Sequence, residues 1–202
     1  MIVAGSNGYD NYRHQADSCH AYQVAKNHGV PDSNIIHFAY DDIAHNTQNP
    51  YPGKIFNKPD GKDVYEGCKI DYRKNDVDPT LYLNVLKGIK TSKTPKVLES
   101  TQDDTVFLNF ADHGAPGLIA FPNQNLSANL NIYAVSAANA TESSWGTYCS
   151  PDDKVHGKHI KSCLGDLFSV VWMEDVDAKV AGETLADQFT TILKKVTKSH
   201  PM

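Results

Sequence analysis

Four short apolar runs punctuate the chain: Met1–Gly5 (MIVAG), Ile35–Tyr40, Thr105–Phe110 (TVFLNF) and Asn131–Ala137 (NIYAVSA). Their length, and the Gly, Asn, Asp and Pro residues that bound them, predict buried β-strands. Helical patterning covers Gln15 to Asn27 and ends before Gly29 and Pro31, residues that stop a helix. Asp78-Pro79 supplies an N-cap and a first-turn proline for a second helix running to about Ile89. Gly117 to Phe121 reads as a small hairpin arm. The chain closes with Leu167 to Met173, a turn at Glu174-Asp175 and an amphipathic helix from about Lys179 to Val196. Residues 41–79, rich in Pro, Gly, Asn and Asp, form a long loop region of the kind that is functional or runs over the surface.

A strand–helix–strand opening is the building block of a parallel sheet, so the pattern predicts an α/β fold. One link disturbs it. Only Pro122 to Leu130 separate the hairpin arm from the Asn131 strand, whereas parallel neighbours need a crossover of about a dozen residues, usually with a helix. Either those strands are arranged differently or a piece of chain has been removed.

The length of 202 residues suits one domain over 1–202 rather than two. A net charge of −5 and the lack of a basic stripe exclude non-specific nucleic-acid binding. No apolar run approaches the ~20 residues that span a bilayer, and Met1 runs directly into a strand rather than a signal-peptide pattern. The four cysteines, Cys19, Cys68, Cys149 and Cys163, lack metal-ligand spacing. Cys149 and Cys163 bracket a polar loop, which leaves a disulfide and two unrelated thiols both open. The sequons at Asn125 and Asn139 lean towards a secretory route.

Catalytic groups in open α/β sheets gather at the C-terminal ends of strands. Three segments fall there: Ser6 to His14, Asp112-His113-Gly114, and Ser136 to Trp145. His113 suits acid–base work, and Gly114 would let its amide approach a reacting oxygen closely; a structural role stays open on the motif alone. Arg13 and His14 offer amide or anion recognition, or simply solvated charges near a helix start. His156 and His159 read as members of a solvated loop, so no metal is expected.

Taken in order, these segments resemble the legumain-type asparaginyl endopeptidases of peptidase family C13. The resemblance rests on Gly5 to Asp17 (GSNGYDNYRHQAD), Tyr40 to Ala44 (YDDIA), Asp63-Val64-Tyr65, Asp112-His113-Gly114, Ala137-Ala138-Asn139, Glu142-Ser143-Ser144 and Leu164 to Asp175. It implies a caspase-like three-layer α/β sandwich with a mostly parallel central sheet and a cysteine–histidine dyad that cleaves after Asn, and after Asp at acidic pH. It further implies His113 as the catalytic histidine, Asn11 as its orienting residue and Gly114 as an oxyanion-hole donor. Arg13, His14, Ser144 and Asp166 are implied as the pocket for the substrate Asn, with Asp166 and Arg13 opposed as acceptor and donor. A Cys149–Cys163 disulfide is implied as well.

The family pattern also includes a strand ending in Glu-Ala-Cys-Glu-Ser-Gly-Ser between the hairpin arm and the Asn131 strand. This chain passes directly from Asn125-Leu126-Ser127 to Asn131-Ile132-Tyr133-Ala134, at the short link, so one internal strand and its helix are expected to be deleted together with the nucleophile. Cys19, placed on a helix, reads as a packed thiol, and Cys68 falls in the long loop. The expectation is a single, incomplete peptidase domain, without signal peptide or C-terminal prodomain, that is catalytically impaired as written. No cofactor is implied. Its partners would be Asn-containing peptides and cystatin-type inhibitors, with no nucleic acid and no membrane, in a vacuolar, lysosomal or secreted setting. A non-catalytic peptide binder and an unstable product are the alternatives.

Overall fold

Strand β1 (Ile2–Ala4) is fully buried and lies at the centre of a parallel sheet, with β2 (His37–Phe38) on one side and β3 (Asn109–Ala111) on the other. The sheet belongs to a computed structural model of the chain, which describes residues 1–127, 134–178 and 182–202. Side chains alternate across a strand, and β1 shows what that does. Ile2 packs on one face against Tyr22, Trp172, Met173 and Ile192, while Val3 packs on the other against Phe38, Tyr82, Val85 and Phe121. Helices α1 (Tyr12–Asn27), α3 (Leu167–Asp177) and α4 (Leu185–Lys195) thus cover the first face, and α2 (Pro79–Leu86) covers the second.

The helix signals act as their chemistry requires. At the end of α1, Gly29 has φ 85° and donates its N–H to the Lys26 carbonyl, while Val30 N–H reaches Ala25. These are the two bonds of a Schellman cap. The Asp78 carboxylate accepts from the N–H groups of Thr80 and Leu81 at the start of α2. Thr184 and Asp187 form a reciprocal capping box at α4, so this helix starts after Gly182 rather than at Lys179, which with Val180 and Ala181 lies outside the described residues.

Several expectations change. Of Thr105–Phe110 only Asn109 and Phe110 join β3, and Thr105 to Phe107 are exposed. Among the described residues β3 is paired only with β1, and Phe107 is 59% exposed. Of the strand expected over 131–137, residues 131–133 lie outside the described residues, and Ala134 to Ala137 form no strand. Ser136 instead exchanges backbone hydrogen bonds with Met202, and the Glu142 carboxylate takes the N–H of His200, tying this segment to the chain end. The turn expected at Glu174-Asp175 is helical, inside α3, where Asp175 is buried along with Ser169 to Met173.

The hairpin arm is larger than expected. β4 (Gly114–Ala115), β5 (Leu118–Ala120) and β6 (Asn125–Ser127) form an antiparallel sheet. Two further pairs follow: β7 (Gly146–Thr147) with β10 (Gly165–Asp166), and β8 (Lys154–Val155) with β9 (Lys158–His159).

The long 41–79 region is packed rather than loose. Ile43, Ala44, Ile55, Phe56 and Val64 join α1 residues in a common core. The buried Asn49 amide donates to the carbonyls of Ile43, Ala44 and Lys54, doing the work of secondary structure. The region returns over α1 and places Cys68 beside Cys19 with Cα atoms 5.6 Å apart, and the two are joined by a disulfide. Cys19 is therefore not a packed thiol. Cys149 and Cys163 form the second bridge, closing the loop that the family resemblance implies.

Closing 49 residues removes more unfolded-chain entropy than closing 14. Replacing both Cys19 and Cys68 by Ala should therefore cost about 4 kcal/mol in urea unfolding, and replacing both Cys149 and Cys163 about 3 kcal/mol. The reverse order would show that the 41–79 region is already held without its bridge.

Candidate functional site

The C-terminal ends of β1 and β3 lie side by side, with Ala4 paired to Ala111, so the segments after them, Ser6 to His14 and Asp112 to Gly114, meet. Asn11 is the residue before α1. Its Nδ2 donates to the Asn7 carbonyl, which turns Oδ1 towards His113, 2.9 Å from Nε2. The orientation of the amide therefore places the ring hydrogen of His113 on Nε2 and the lone pair on Nδ1. Partial burial first, and then the neighbouring His14, lower the His113 pKa below its usual value. The two rings meet edge to face, 4.9 Å between centroids.

His14 is almost completely buried. Its Nδ1 lies 2.6 Å from Ser6 Oγ and 3.2 Å from Asp112 Oδ1, and its Nε2 lies 3.3 Å from Asp166 Oδ2. Arg13 reaches the same carboxylate, with Nε 2.9 Å from Asp166 Oδ1, and its Nη1 donates to the Asp10 carbonyl. Arg13 and Asp166 are thus in direct contact rather than facing each other across an open space. Both are about four-fifths buried, which removes much of the solvent screening that weakens a surface pair.

Asp166 belongs to the far end of the chain and is held by residues the sequence did not single out as site members. Its backbone N–H donates to Asp17 Oδ2 at 3.0 Å. The Asp17 carboxylate also accepts from Asn57 Nδ2, which in turn donates to the Leu164 carbonyl. Burial first, and the charge of Asp166 second, raise the Asp17 pKa well above its ordinary value. Gly165 leaves room for this arrangement, since a Cβ there would meet Val170, Asn57 and Asp17 within 3 Å. Asp17 falls inside the family-like run Gly5 to Asp17, the one available signal. Asn57 sits in the loop region with none.

Other expected residues are less closely engaged. Ser144 is exposed and forms no side-chain hydrogen bond to a described residue, although it stands two positions before β7, the partner of the Asp166 strand. Gly114 is exposed in β4. Asn125 is exposed in β6, and the Asn139 side-chain oxygen accepts from Thr141. His156 and His159 diverge, the first towards Asp60 and the second bonded to Asp153.

A family model described as Peptidase C13 matches residues 1–129 and again 123–202. The chain is 42% identical to the vacuolar-processing enzyme delta-isozyme of Arabidopsis thaliana, an alignment covering 100% of this chain and 52% of that protein. It is 41% identical to the hemoglobinase of Schistosoma mansoni (99% of this chain, 54% of that one) and 38% identical to the legumain of Rattus norvegicus (100% and 54%). The chain spans about half the length of these relatives. The alignment to the Arabidopsis protein runs over 244 positions against 202 residues here, leaving about 42 positions at which this chain has no residue.

The site also depends on a glycine at the mouth of β1. A Cβ on Gly5 would lie 2.5 Å from both the Asp112 Oδ2 atom and the Ala120 carbonyl oxygen. Gly5→Ala should therefore cost about 1–3 kcal/mol in urea unfolding, since an added methyl has to displace backbone. An unchanged midpoint would show that Asp112 is not packed against β1.

Proposed function

Because the chain belongs to the peptidase C13 family, we propose that it is a legumain-type cysteine endopeptidase by descent which, as written, retains substrate recognition and the base but has no nucleophile. The observation that carries this reading is that all four cysteines are engaged in disulfides. Nucleophilic catalysis needs a thiolate within hydrogen-bond reach of its base. His113 offers the base, with Nε2 fixed by Asn11 and the Nδ1 lone pair available, and it has no thiol to deprotonate.

The position of the loss supports the same reading. The two family-model matches overlap at residues 123–129, a stretch that includes β6 and lies within the short link from Pro122 to Leu130. β3 lacks a second neighbour among the described residues, and Val106, Phe107 and Trp145 are exposed apolar side chains. In the complete family pattern, a caspase-like sandwich, the strand bearing the cysteine and its helix would belong in this region. An uncovered strand edge is also an aggregation hazard, which keeps instability of the chain as a second reading.

What remains is the lining for an Asn side chain, which has to part the Arg13–Asp166 contact to enter. The carboxamide presents one acceptor and two donors; Arg13 supplies N–H groups, Asp166 supplies carboxylate oxygens, and His14 and Ser144 complete the wall. Peptides with Asn at the cleavage position are the substrate class, with Asp tolerated at acidic pH, and cystatin-type inhibitors are candidate partners. The two disulfides suit an oxidising secretory route to a vacuole or lysosome, in keeping with relatives named vacuolar-processing enzymes.

Two outcomes follow. An Asn-containing fluorogenic peptide should be cleaved no faster by this chain than by its His113→Ala variant; turnover that His113→Ala abolishes would sink the claim of inactivity. The same peptide should bind, and Asp166→Ala should weaken binding by about tenfold or more, the worth of a hydrogen bond to a charged group. Equal affinity in calorimetry would remove Asp166 from the pocket.

A further inference from the structure

Asp112 is the anomaly of this region. Its side chain is 2% exposed, and its Oδ1 atom is buried without a hydrogen-bond partner, although His14 Nδ1 stands only 3.2 Å away. The tautomers explain why. With its Nε2 hydrogen directed at Asp166, His14 carries a lone pair on Nδ1, which faces both Ser6 Oγ at 2.6 Å and Asp112 Oδ1 at 3.2 Å and is free for a cation once the Ser6 hydroxyl hydrogen turns away. Asp112 Oδ1 and His14 Nδ1 are then two acceptors facing each other, an arrangement that costs free energy unless a proton or a metal cation lies between them. His113 brings a ring nitrogen within 4.8 Å of a ligand atom on each of the other two, and with Nε2 held by Asn11 its free lone pair is on Nδ1.

We propose that His14, Asp112 and His113 form a binding site for a divalent transition-metal ion, zinc in the first instance. Ligand atoms of the three residues lie within 4.8 Å of one another. A tetrahedral ion with ligands at about 2.0 Å sets its ligand atoms about 3.3 Å apart, close to the observed Asp112–His14 separation. A small movement of the exposed His113 side chain about its Asn11 contact closes the remaining separation. Two imidazoles and one carboxylate are a donor set zinc accepts, with a fourth position left for water or for Ser6 Oγ.

The outer shell is already built. A metal-bound histidine usually donates its other N–H to a carboxylate or carbonyl, which fixes the ring. Asp166 stands behind His14 at 3.3 Å and Asn11 behind His113 at 2.9 Å. Asp112 and Asp166 carry two negative charges against the ion's two positive ones, with Arg13 paired to Asp166. Three residues from two distant segments contribute, which is why the spacing of histidines along the chain conceals the site. The inference stands on these distances and does not depend on the proposed peptidase ancestry.

Cobalt(II), a spectroscopic stand-in for zinc, tests it on the full chain. One equivalent should bind with the visible absorption of a low-coordinate ion, and zinc should displace it. His113→Ala, at an exposed position, should lower affinity at least tenfold. Asp166→Asn, behind His14, should lower it by about tenfold. The double variant His156→Ala/His159→Ala should bind as the parent does. Paramagnetic broadening of the His14 and His113 ring resonances locates the ion in the unsubstituted chain. The proposal is overturned if the folded chain binds no stoichiometric ion, if His113→Ala leaves affinity unchanged, or if the broadened resonances belong to His156 and His159.

Discussion

The carboxyl group of Asp17, buried in the middle of α1, accepts hydrogen bonds from the backbone of Asp166 and the side chain of Asn57. Through it one helix holds two segments distant in sequence: the 41–79 region, through Asn57, and the β10–α3 junction, through Asp166 and Leu164. His20, one turn further along α1, extends the network, with Nδ1 on Asn57 Oδ1 and Nε2 on Asp177. A buried carboxyl costs free energy unless its hydrogen-bonding capacity is met. Here that requirement fixes where Asp166 lies, and hence where Arg13 and His14 find their partner. The recognition side of the site is in this sense a consequence of how α1 is buried.

The His113 side depends on something simpler. Parallel pairing of β1 and β3 brings two strand ends together, and Gly5 leaves the space into which the Asp112 carboxylate packs. Neither requirement involves the segment that the family pattern places between the hairpin arm and residue 131. On the proposed reading, this is why both flanks of the site can be assembled in a chain that lacks the nucleophile. On that reading the gap would act locally, where β3 has no second neighbour among the described residues and Phe107 is over half exposed.

Legibility in the sequence followed the range of the interactions. Helix caps were readable, because Gly29 and Asp78-Pro79 act through near neighbours, and the unbroken apolar run Met1–Gly5 marked a buried strand by composition alone. Central strands were over-extended: the run Thr105–Phe110 has a strand's composition, but composition cannot say whether a partner exists on both sides. Continuity of α3 through Glu174 and Asp175 was missed because two acidic residues resemble a turn until the burial of Asp175 is known. The Cys19–Cys68 bridge was invisible, since it depends on a loop of 49 residues returning to α1. Among site residues, His113, Asn11, Arg13, His14 and Asp166 came from the family-like motifs, and the structure brings them together. Asn57 and the unpaired Asp112 oxygen could emerge only from three-dimensional placement.

The central claim is that the site has a base and a recognition pocket but no thiol. Its most direct test is to expose the folded, unreduced chain to an Asn-bearing peptide with a thiol-reactive electrophile and to measure intact mass. The account predicts no adduct on any cysteine. A stoichiometric cysteine adduct that disappears in the His113→Ala variant would contradict it.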